Sequence, residues 1–471
     1  MEEVINFFKE LSKIPRETKN EKSISDWICK LAISNGLDVE QDDLWNVIVH
    51  KAASAGYENK DKIIFQSHLD MVCEKEVASN HDFNTDEIEI IEYIEDGKKF
   101  FKANGTTLGA DDGIGVAIMI KFMLNQEIKM PETYYIFTTQ EEVGMYGAKA
   151  LDISNIDAKY LINLDSETEG VATIGCAGGV NLNLSKNEDQ VVAINPMYKL
   201  EINGLKGGHS GVEINKGRIN SNYLTAMILD GLNNVQISNM VGGTKDNVIC
   251  NSTSVVFSTD INESEIKQRI DEVLNNIQIT EDDKNIKVSL NVLSGNYKVY
   301  SYGTSKDIVK LILNLKQNVI EMSDKLAGLV ESSGNIGIVS ITDHEITIKE
   351  SMRSSVDEKK KIYLESNKEL AKSLEFDCVE EGDYPGWDIN TDSELQRIYI
   401  ESYKKTHKEV EPKLESIHAG LECGLFAKMN PNLDMISIGP NLYDVHSTNE
   451  RLDIESVECL LKTIMEMIKS L

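Results

Sequence analysis

Five short fragments of the chain carry histidine, aspartate or glutamate at the ends of apolar runs. In chain order they are SHLD at 67–70, GADDG at 109–113, QEEVG at 140–144, NLDSE at 163–167 and VHS at 445–447. A lone pair of such residues is common and usually marks a solvated strand end, but five in this order are hard to explain by chance. Carboxylate and imidazole ligands without thiolate suit Zn²⁺, with Mn²⁺ or Co²⁺ as substitutes. The fragments therefore predict a site for two divalent metal ions.

His68 and Asp70 follow the apolar run at 63–65, and alternate residues of a strand project to the same side. We expect His68 to ligate a metal through one ring nitrogen while Asp70 holds the other and fixes the tautomer. Taken alone, each residue is more often a hydrogen-bonded loop residue.

Asp111 and Asp112 precede Gly113 and an apolar helical stretch. One of them is a candidate to bridge two cations, which a two-metal hydrolase holds about 3.5–4 Å apart. The alternative for one of them is an N-cap, because a helix N-terminus favours negative charge.

Glu141 and Glu142 are neighbours at the end of a strand, so regular geometry would keep them from pointing at the same spot. We expect one to be a metal ligand and the other a general base. Asp165, which ends the run at 161–164, is expected to bind the second ion. His446 is expected to complete the first.

His209 differs from the other histidines because glycines flank it at 207, 208 and 211. Glycines allow the backbone to approach a ligand closely, so His209 is a candidate oxyanion donor. His418 is open to two interpretations, a place near the pocket or a packed loop. The remaining histidines are expected in a hairpin turn (His344) or on the surface among charged residues (His50, His81 and His407).

Composition excludes several classes of protein. The chain has 48 Lys and Arg against 78 Asp and Glu, a formal charge of −30, which would repel nucleic acid and anionic membranes. Seven scattered cysteines without CxxC spacing indicate neither a disulfide framework nor a zinc knuckle. Residues 1–4 (MEEV) begin an acidic amphipathic helix without a basic region, so we expect no secretory leader, and no apolar run is long enough to span a bilayer. We expect a cytoplasmic protein.

The chain length of 471 residues favours two domains. Strand-like runs near 47–49, 63–65, 134–137 and 160–162 alternate with a helical stretch at 113–124, which is typical of an α/β layer whose loops carry the chemistry. After about Leu184 the pattern changes to strands and amphipathic helices typical of a different domain. Beyond the break at 384–386 the chain returns to the first domain. Because His446 must meet the first segment, we expect a discontinuous catalytic domain, 1–185 and 381–471, with 186–380 inserted.

These residues resemble the aminoacyl-histidine dipeptidase family, a branch of the di-zinc exopeptidases. The likeness covers nearly the whole chain and includes KIPRET at 13–18, TTLGAD at 106–111, GGHSG at 207–211, IHAGLECGL at 417–425 and IGP at 438–440. It implies a mixed-sheet α/β catalytic domain with an inserted α+β lid domain. It also implies hydrolysis of Xaa-His and related dipeptides by a zinc-activated water.

The resemblance also implies a role for each site residue. One zinc is held by His68, Asp111 and Asp165, and the other by Asp111, Glu142 and His446, with Asp111 as the bridge. Asp70 orients His68, and Glu141 is the general base. In the lid, three residues contact the substrate. His209 polarises the scissile carbonyl, and Asn247 and Arg353 bind the peptide.

One position departs from the family pattern: Cys250 stands where the family usually has proline after Asn-x-Ile, which bears on the lid around Asn247. Two other functions compete with a dipeptidase. The same metal chemistry permits an N-acyl-amino-acid amidohydrolase, and a relative without the base would only bind metal. Glu141 argues against the latter. The expected partner is a small peptide, and His209 reaches the metal site either within one chain or across a homodimer.

Overall fold

The structure is a computed structural model that describes residues 1–471. It divides into two compact units. The first contains Met1–Gly175, Ile389–Ser416 and Leu421–Leu471, and the second contains Cys176–Asp388 and Ile417–Gly420. The second unit starts at Cys176, earlier in the chain than the predicted boundary at 186. Leu184 lies inside a strand that begins at Gly178. The role of the second unit as a lid stays a prediction.

The first segment alternates strands and helices. Its elements are α1 (Glu2–Leu11), α2 (Lys22–Ser34), β1 (Asp38–Gln41), β2 (Val47–Lys51), β3 (Ile63–His68), β4 (Ile90–Glu95), β5 (Lys98–Ala103), α3 (Ala110–Leu124), β6 (Thr133–Thr138), α4 (Tyr146–Ala150), β7 (Tyr160–Asn163) and β8 (Val171–Cys176).

The middle segment is richer in antiparallel strands. Its elements are β9 (Gly178–Asn187), β10 (Val191–Val192), β11 (Met197–Asn203), β12 (Gly208–His209), α5 (Ser221–Asp230), β13 (Gln236–Gly242), β14 (Val248–Ile249), β15 (Thr253–Ser258), α6 (Glu263–Asn276), β16 (Lys287–Leu293), β17 (Lys298–Val299), α7 (Tyr302–Asn314), β18 (Asn318–Met322), β19 (Val330–Ile341), β20 (Glu345–Ser354), α8 (Asp357–Ser373) and β21 (Asp377–Tyr384).

The last segment returns to the first unit. Its elements are α9 (Glu394–Thr406), β22 (Lys413–Ile417), α10 (Glu422–Met429), β23 (Asp434–Ser437), β24 (Leu442–Tyr443), β25 (Arg451–Asp453) and α11 (Ile454–Ser470).

An eight-stranded mixed sheet in the order β1-β2-β6-β3-β7-β23-β8-β22 forms the frame of the first unit. Its four middle strands, from β6 to β23, run parallel to one another. The buried apolar runs of the sequence become these middle strands, because strands covered on both faces need apolar side chains on both. The apolar helix α3 is buried along most of its length and packs against α1 and β3. Because the four middle strands of the sheet run parallel, their carboxyl ends share one edge of the sheet.

A nine-stranded antiparallel sheet forms the second unit, in the order β16-β11-β15-β13-β19-β20-β9-β21 with β18 paired to β19. Helices α5, α6, α7 and α8 contribute to its buried core. The hairpin turn predicted at His344 joins β19 and β20, and Asn262 and Glu265 form a capping box at the N-terminus of α6. The α/β fold class with a mixed sheet is confirmed. None of the helices is long and apolar enough to cross a membrane.

Candidate metal centre

The predicted ligands of the first unit lie at the shared carboxyl edge of the parallel strands. His68 is the last residue of β3, and Asp165 follows β7 by two residues. Glu141 and Glu142 follow β6, and Asp111 lies in the first turn of α3. This edge is where open α/β sheets place their functional loops.

The two carboxylate oxygens of Asp111 face two different histidines. Oδ1 lies 3.2 Å from Nε2 of His68, and Oδ2 lies 3.0 Å from Nε2 of His446. Each histidine has a second carboxylate neighbour. Asp165 Oδ1 is 3.4 Å from His68 Nε2, and Glu142 Oε1 is 3.0 Å from His446 Nε2. The carboxylate of Asp111 thus joins two groups of donor atoms, as a bridging ligand must.

Three overlapping groups of side chains could hold a metal ion, with donor atoms within 4.8 Å of one another in each group. The first is His68, Asp111 and Asp165, and the second is Asp111, Glu142 and His446. These two sets coincide with those that the family resemblance implies. The third combines His68 with both Glu141 and Glu142.

In the third group the carboxylates of Glu141 and Glu142 converge, which a regular strand end would not allow. Gln140 adopts a left-handed conformation with φ of 54°, so the chain leaves regular strand geometry before the two glutamates. A turn follows, closed by a hydrogen bond from the Gly144 backbone N–H to the Glu141 carbonyl. The distances to His68 therefore do not show which of the two glutamates is the metal ligand and which is the general base. Only Glu142 also groups with Asp111 and His446.

Asp70 is a buried hydrogen-bond acceptor behind this centre. Its Oδ1 lies 3.5 Å from His68 Nδ1 and accepts a 3.1 Å hydrogen bond from the Glu141 backbone N–H. Its Oδ2 accepts hydrogen bonds from the Glu142 backbone N–H at 3.3 Å and from Thr18 Oγ1 at 3.0 Å. Although burial opposes ionisation, His68 and these donors hold the pKa of Asp70 below its usual value. Asp70 therefore ties His68 to the loop that carries both glutamates.

Opposing charges perturb the titration of the whole centre. Burial favours neutral Asp111, but hydrogen bonds from His446 and His68 hold its pKa well below the ordinary range. Hydrogen bonds to Asp111 and Glu142 raise the pKa of His446 to about 11. Burial raises the pKa of Asp165 to about 6. Several carboxylates crowd around two imidazoles, and a divalent cation would neutralise their excess negative charge.

The donor chemistry fits a pair of divalent metal ions. Oxygen and imidazole nitrogen are ligands for Zn²⁺, Mn²⁺ and Co²⁺, and no cysteine belongs to any of the three groups. Asp111 offers one oxygen to each group, which suits a bridge between two ions. His446 has a left-handed backbone with φ of 60°, an unusual conformation for a residue other than glycine. Such conformations concentrate at functional sites.

The two aspartates interrupt the start of α3, because Asp111 (φ −80°, ψ 114°) and Asp112 (φ −103°, ψ 31°) both have non-helical backbone angles. The regular helix therefore begins after Asp112, and the N-cap alternative for one aspartate stays open. Asp112 is buried, and burial together with nearby Asp165 raises its pKa well above the ordinary value. Asp111, not Asp112, faces the two histidines.

Sequence reasoning missed Glu450, which organises the turn before α3. Its Oε2 accepts hydrogen bonds from the backbone N–H groups of Leu108 and Gly109, and its Oε1 accepts from those of Ala110 and Asp111. The side chain is 2% exposed, so the carboxyl replaces water for four backbone donors. Its spacing of four residues from His446 gave no sign of this.

Arg16, within the KIPRET segment at 13–18, is a second buried residue that supports the centre. Its buried guanidinium donates to the carbonyls of Leu69, at 2.9 Å, and Asp70, at 3.2 Å, and also to that of Gly109. It therefore ties the His68 loop to the turn before Asp111. Burial lowers the pKa of Arg16.

The three predicted substrate-contacting residues all belong to the second unit. His209 pairs with Val248 in the short β12–β14 ladder, and Ser210 N–H donates to the Asn247 carbonyl. Cys250, the departure from the family pattern, is buried next to this ladder and leaves it intact.

His209 is held as a hydrogen-bond donor. Its Nδ1 lies 3.1 Å from Gly211 N and 3.2 Å from Val212 N, and both backbone N–H groups donate to it. Because Nδ1 accepts, the proton of the neutral ring lies on Nε2. Burial and the nearby Arg353 lower the pKa of His209, which favours the neutral ring.

Arg353 is 8% exposed and has one side-chain partner, the Tyr384 hydroxyl at 3.0 Å, while its Nε has none. A buried guanidinium without a carboxylate partner suits recognition of an anionic group.

His418 is a buried histidine of the second unit that lies beside the loop of His209 and near Arg353, so burial does not separate the two interpretations. It is 6% exposed, and its Nε2 lies 2.7 Å from Ser333 Oγ. Burial and Arg353 lower its pKa to about 3. His344 lies exposed in the predicted turn. The other three histidines are only partly exposed and have carboxylate neighbours: Asp38 and Glu132 for His50, Asp82 in sequence for His81, and Glu169 for His407.

Comparison with known proteins agrees with this arrangement. The model of peptidase family M20/M25/M40 matches residues 64–470. A cytosol non-specific dipeptidase of Escherichia coli is 35% identical over 476 residues, which cover 99% of this chain and 97% of the relative. The chain belongs to this peptidase family. The predicted class of enzyme, a peptide-bond hydrolase, is thereby confirmed.

Solved structures agree as well. The crystal structure of aminoacylhistidine dipeptidase from Vibrio alginolyticus superposes with a TM-score of 0.92 at 30% identity, covering 99% of this chain and 96% of that one. The aminopeptidase PepT of Bacillus cereus shares the fold with a TM-score of 0.57 at 20% identity, covering 99% and 98%.

Proposed function

We propose that this protein is a cytoplasmic metal-dependent dipeptidase that hydrolyses Xaa-His and related dipeptides at a site for two divalent ions. The observation that carries the proposal is the position of Asp111, whose two carboxylate oxygens face His68 and His446. A one-metal site needs no such bridge. The relatives named as dipeptidases support the choice of a short peptide substrate.

Each side chain of the centre has a proposed task. When bound, two ions would polarise the scissile carbonyl and make water a nucleophile at neutral pH. His68, Asp111 and Asp165 hold one ion, and Asp111, Glu142 and His446 hold the other. Zn²⁺ is the first choice, with Mn²⁺ or Co²⁺ as substitutes.

Glu141 is the proposed general base. Burial and neighbouring carboxylates raise the pKa of Glu141 well above the usual value, which makes it a better proton acceptor. It takes a proton from the attacking water and gives it to the leaving amine. Asp70 fixes the Glu141 backbone and the orientation of His68.

The second unit is the proposed lid and supplies the substrate contacts. His209 donates from Nε2 to the oxygen on which negative charge develops. Arg353 binds the terminal carboxylate of the dipeptide, for which its planar guanidinium is suited. Asn247, exposed beside the β12–β14 ladder, contacts the peptide. The lid acts within one chain or across a homodimer.

A substrate panel tests the proposal. Metal-free protein is reconstituted with Zn²⁺, Mn²⁺ or Co²⁺ and assayed with Ala-His, Gly-His and Ala-Ala beside N-acetyl-histidine and N-acetyl-alanine. We expect release of free amino acids from the dipeptides and not from the acetylated compounds. Turnover of the acetylated compounds alone would favour the rival amidohydrolase, and no turnover of either class would favour the non-catalytic alternative.

A further inference from the structure

Glu422 lies in the family motif at 417–425, yet the proposed mechanism leaves it without a role. It is the first residue of α10, a position where an acidic side chain normally faces solvent near the helix N-terminus. Here its side chain is 0% exposed. A carboxyl buried this deeply needs hydrogen-bond partners, because desolvation is costly.

Both partners of Glu422 belong to strands that carry the metal centre. Its Oε2 accepts hydrogen bonds from Gln66 Nε2 at 2.5 Å and from Thr138 Oγ1 at 2.7 Å. Gln66 precedes His68 by two residues on β3, and Thr138 ends β6, three residues before Glu141. Thr138 is also the register partner of His68 across the β3–β6 pair.

The same hydrogen bonds continue to a third strand. Gln66 Oε1 accepts from Asn163 Nδ2 at 2.6 Å, and Asn163 Oδ1 accepts from the Asp165 backbone N–H at 3.2 Å. Gln66, Thr138, Asn163 and Glu422 are all 0% exposed. A fully buried polar chain therefore runs beneath the loops that carry His68, Glu141 with Glu142, and Asp165.

Oε2 of Glu422 accepts from both β3 and β6, and Gln66 Nε2 also lies 3.1 Å from Thr138 Oγ1, so the three side chains form a closed triangle. The other oxygen of Glu422, Oε1, has no hydrogen-bond partner. Neither Gln66 nor Thr138 carries a charge that would compensate an ionised Glu422. Burial raises the pKa of Glu422 to about 8, so a glutamine side chain is a close mimic of its neutral form at pH 7.

We propose that Glu422 is a positioning residue, which sets the affinity of the centre for metal by accepting hydrogen bonds from Gln66 and Thr138. Partners outside the direct ligands orient those ligands, and their loss typically weakens metal binding about 10–100-fold. The inference rests on the proposed metal site but adds a requirement that no direct ligand carries. It also assigns a function to one residue of the 417–425 motif, namely the positioning of the strands that carry the proposed ligands.

The test compares metal affinity of metal-free variants by competition of Zn²⁺ with a chromogenic chelator, beside their thermal unfolding without metal. Glu422→Leu removes the acceptor and should bind Zn²⁺ about 10–100-fold more weakly. Glu422→Gln keeps an oxygen for both donors and should stay close to the wild type. Glu350→Gln is the matched control, because Glu350 is another 0% exposed carboxyl but lies in the second unit.

Two results would overturn the proposal. One is wild-type affinity in Glu422→Leu, and the other is an equal loss in Glu422→Gln and Glu422→Leu, which would assign the effect to charge. If Glu422→Leu does not fold, Thr138→Val removes one donor, and unchanged affinity in that variant would count against the role. A wild-type chain that neither binds Zn²⁺ nor hydrolyses dipeptides would instead refute the proposed function itself.

Discussion

The Oδ2 atom of Asp111 lies 3.0 Å from Nε2 of His446, although 335 positions separate the two residues in the chain. The other oxygen of Asp111 faces His68. Folding thus brings the first and last segments of the first unit to one carboxylate. The division of roles around that carboxylate leads to specific expectations.

Glu141 and Glu142 should respond differently to substitution. Glu141→Gln should keep its metal and lose about 10²–10⁴-fold in kcat, the range typical of a lost general acid–base group. Glu142→Gln should bind metal more weakly, because Glu142 groups with Asp111 and His446. Metal analysis after dialysis, together with dipeptide hydrolysis at saturating Zn²⁺, measures both effects. Equal metal loss in the two variants would mean that the roles are divided wrongly.

Asp70 should act on metal affinity without touching a metal. Asp70→Ala keeps the backbone carbonyl that lies 3.1 Å from His68 Nδ1, but it removes the carboxylate 3.5 Å from that atom and the acceptor for two backbone N–H groups. Zn²⁺ affinity should therefore fall about 10–100-fold. Thr18→Val is the milder control, because it removes only one hydrogen bond to Asp70. Chelator competition gives the affinities. A Thr18→Val effect as large as that of Asp70→Ala would contradict the assignment.

Loss of His209 should impair turnover rather than metal binding. If its Nε2–H stabilises the developing oxyanion, His209→Ala should lower kcat by about 10²–10³-fold, as for other oxyanion donors. His344→Ala is the matched control in the same unit, because His344 is 69% exposed in a turn. Steady-state kinetics and zinc content are measured for both variants. A His209→Ala enzyme with normal kcat would exclude the role.

The second unit should become less stable as the pH rises, because of Glu350. Burial raises the pKa of Glu350 to about 8, despite a hydrogen bond from Asn367, from an ordinary value of 4.5. Between these values the folded state holds a proton that the unfolded state has released. The contribution is therefore complete below pH 4.5 and is lost as the pH rises through 8, at up to about 1.4 kcal/mol per pH unit.

Urea unfolding of the wild type and of Glu350→Gln from pH 5 to 8.5 measures this effect. Glutamine cannot ionise, so the difference in free energy of unfolding between variant and wild type should shift in favour of the variant as the pH increases. A difference that does not change with pH would show that Glu350 ionises normally in the folded protein.

Sequence patterns predicted the residues that the structure groups together, because strand ends and acidic or histidine residues are local features. The runs before His68 and Asp165 became parallel strands, and their carboxyl ends meet as such strands require. The convergence of Glu141 and Glu142 was missed because it depends on the left-handed backbone of Gln140, which no periodicity signals.

Support from distant segments was also invisible to the sequence. Glu450 contacts the backbone of residues that precede it by more than 330 positions, and its carboxyl looks like any surface glutamate in the sequence. Glu422 sits at a helix N-terminus, where exposure is the ordinary expectation. Burial of both carboxyls results from tertiary packing, which local patterns do not encode.

Titration of metal-free protein with Zn²⁺, followed by release of histidine from Ala-His, tests the two-metal dipeptidase most directly. We predict no hydrolysis without metal, tight binding of two ions per chain, and full activity only when both are bound. Asp111→Ala, which removes the shared carboxylate, should lose both ions and all activity. Full activity in the metal-free protein, or full activity with both ions still bound in Asp111→Ala, would contradict the account.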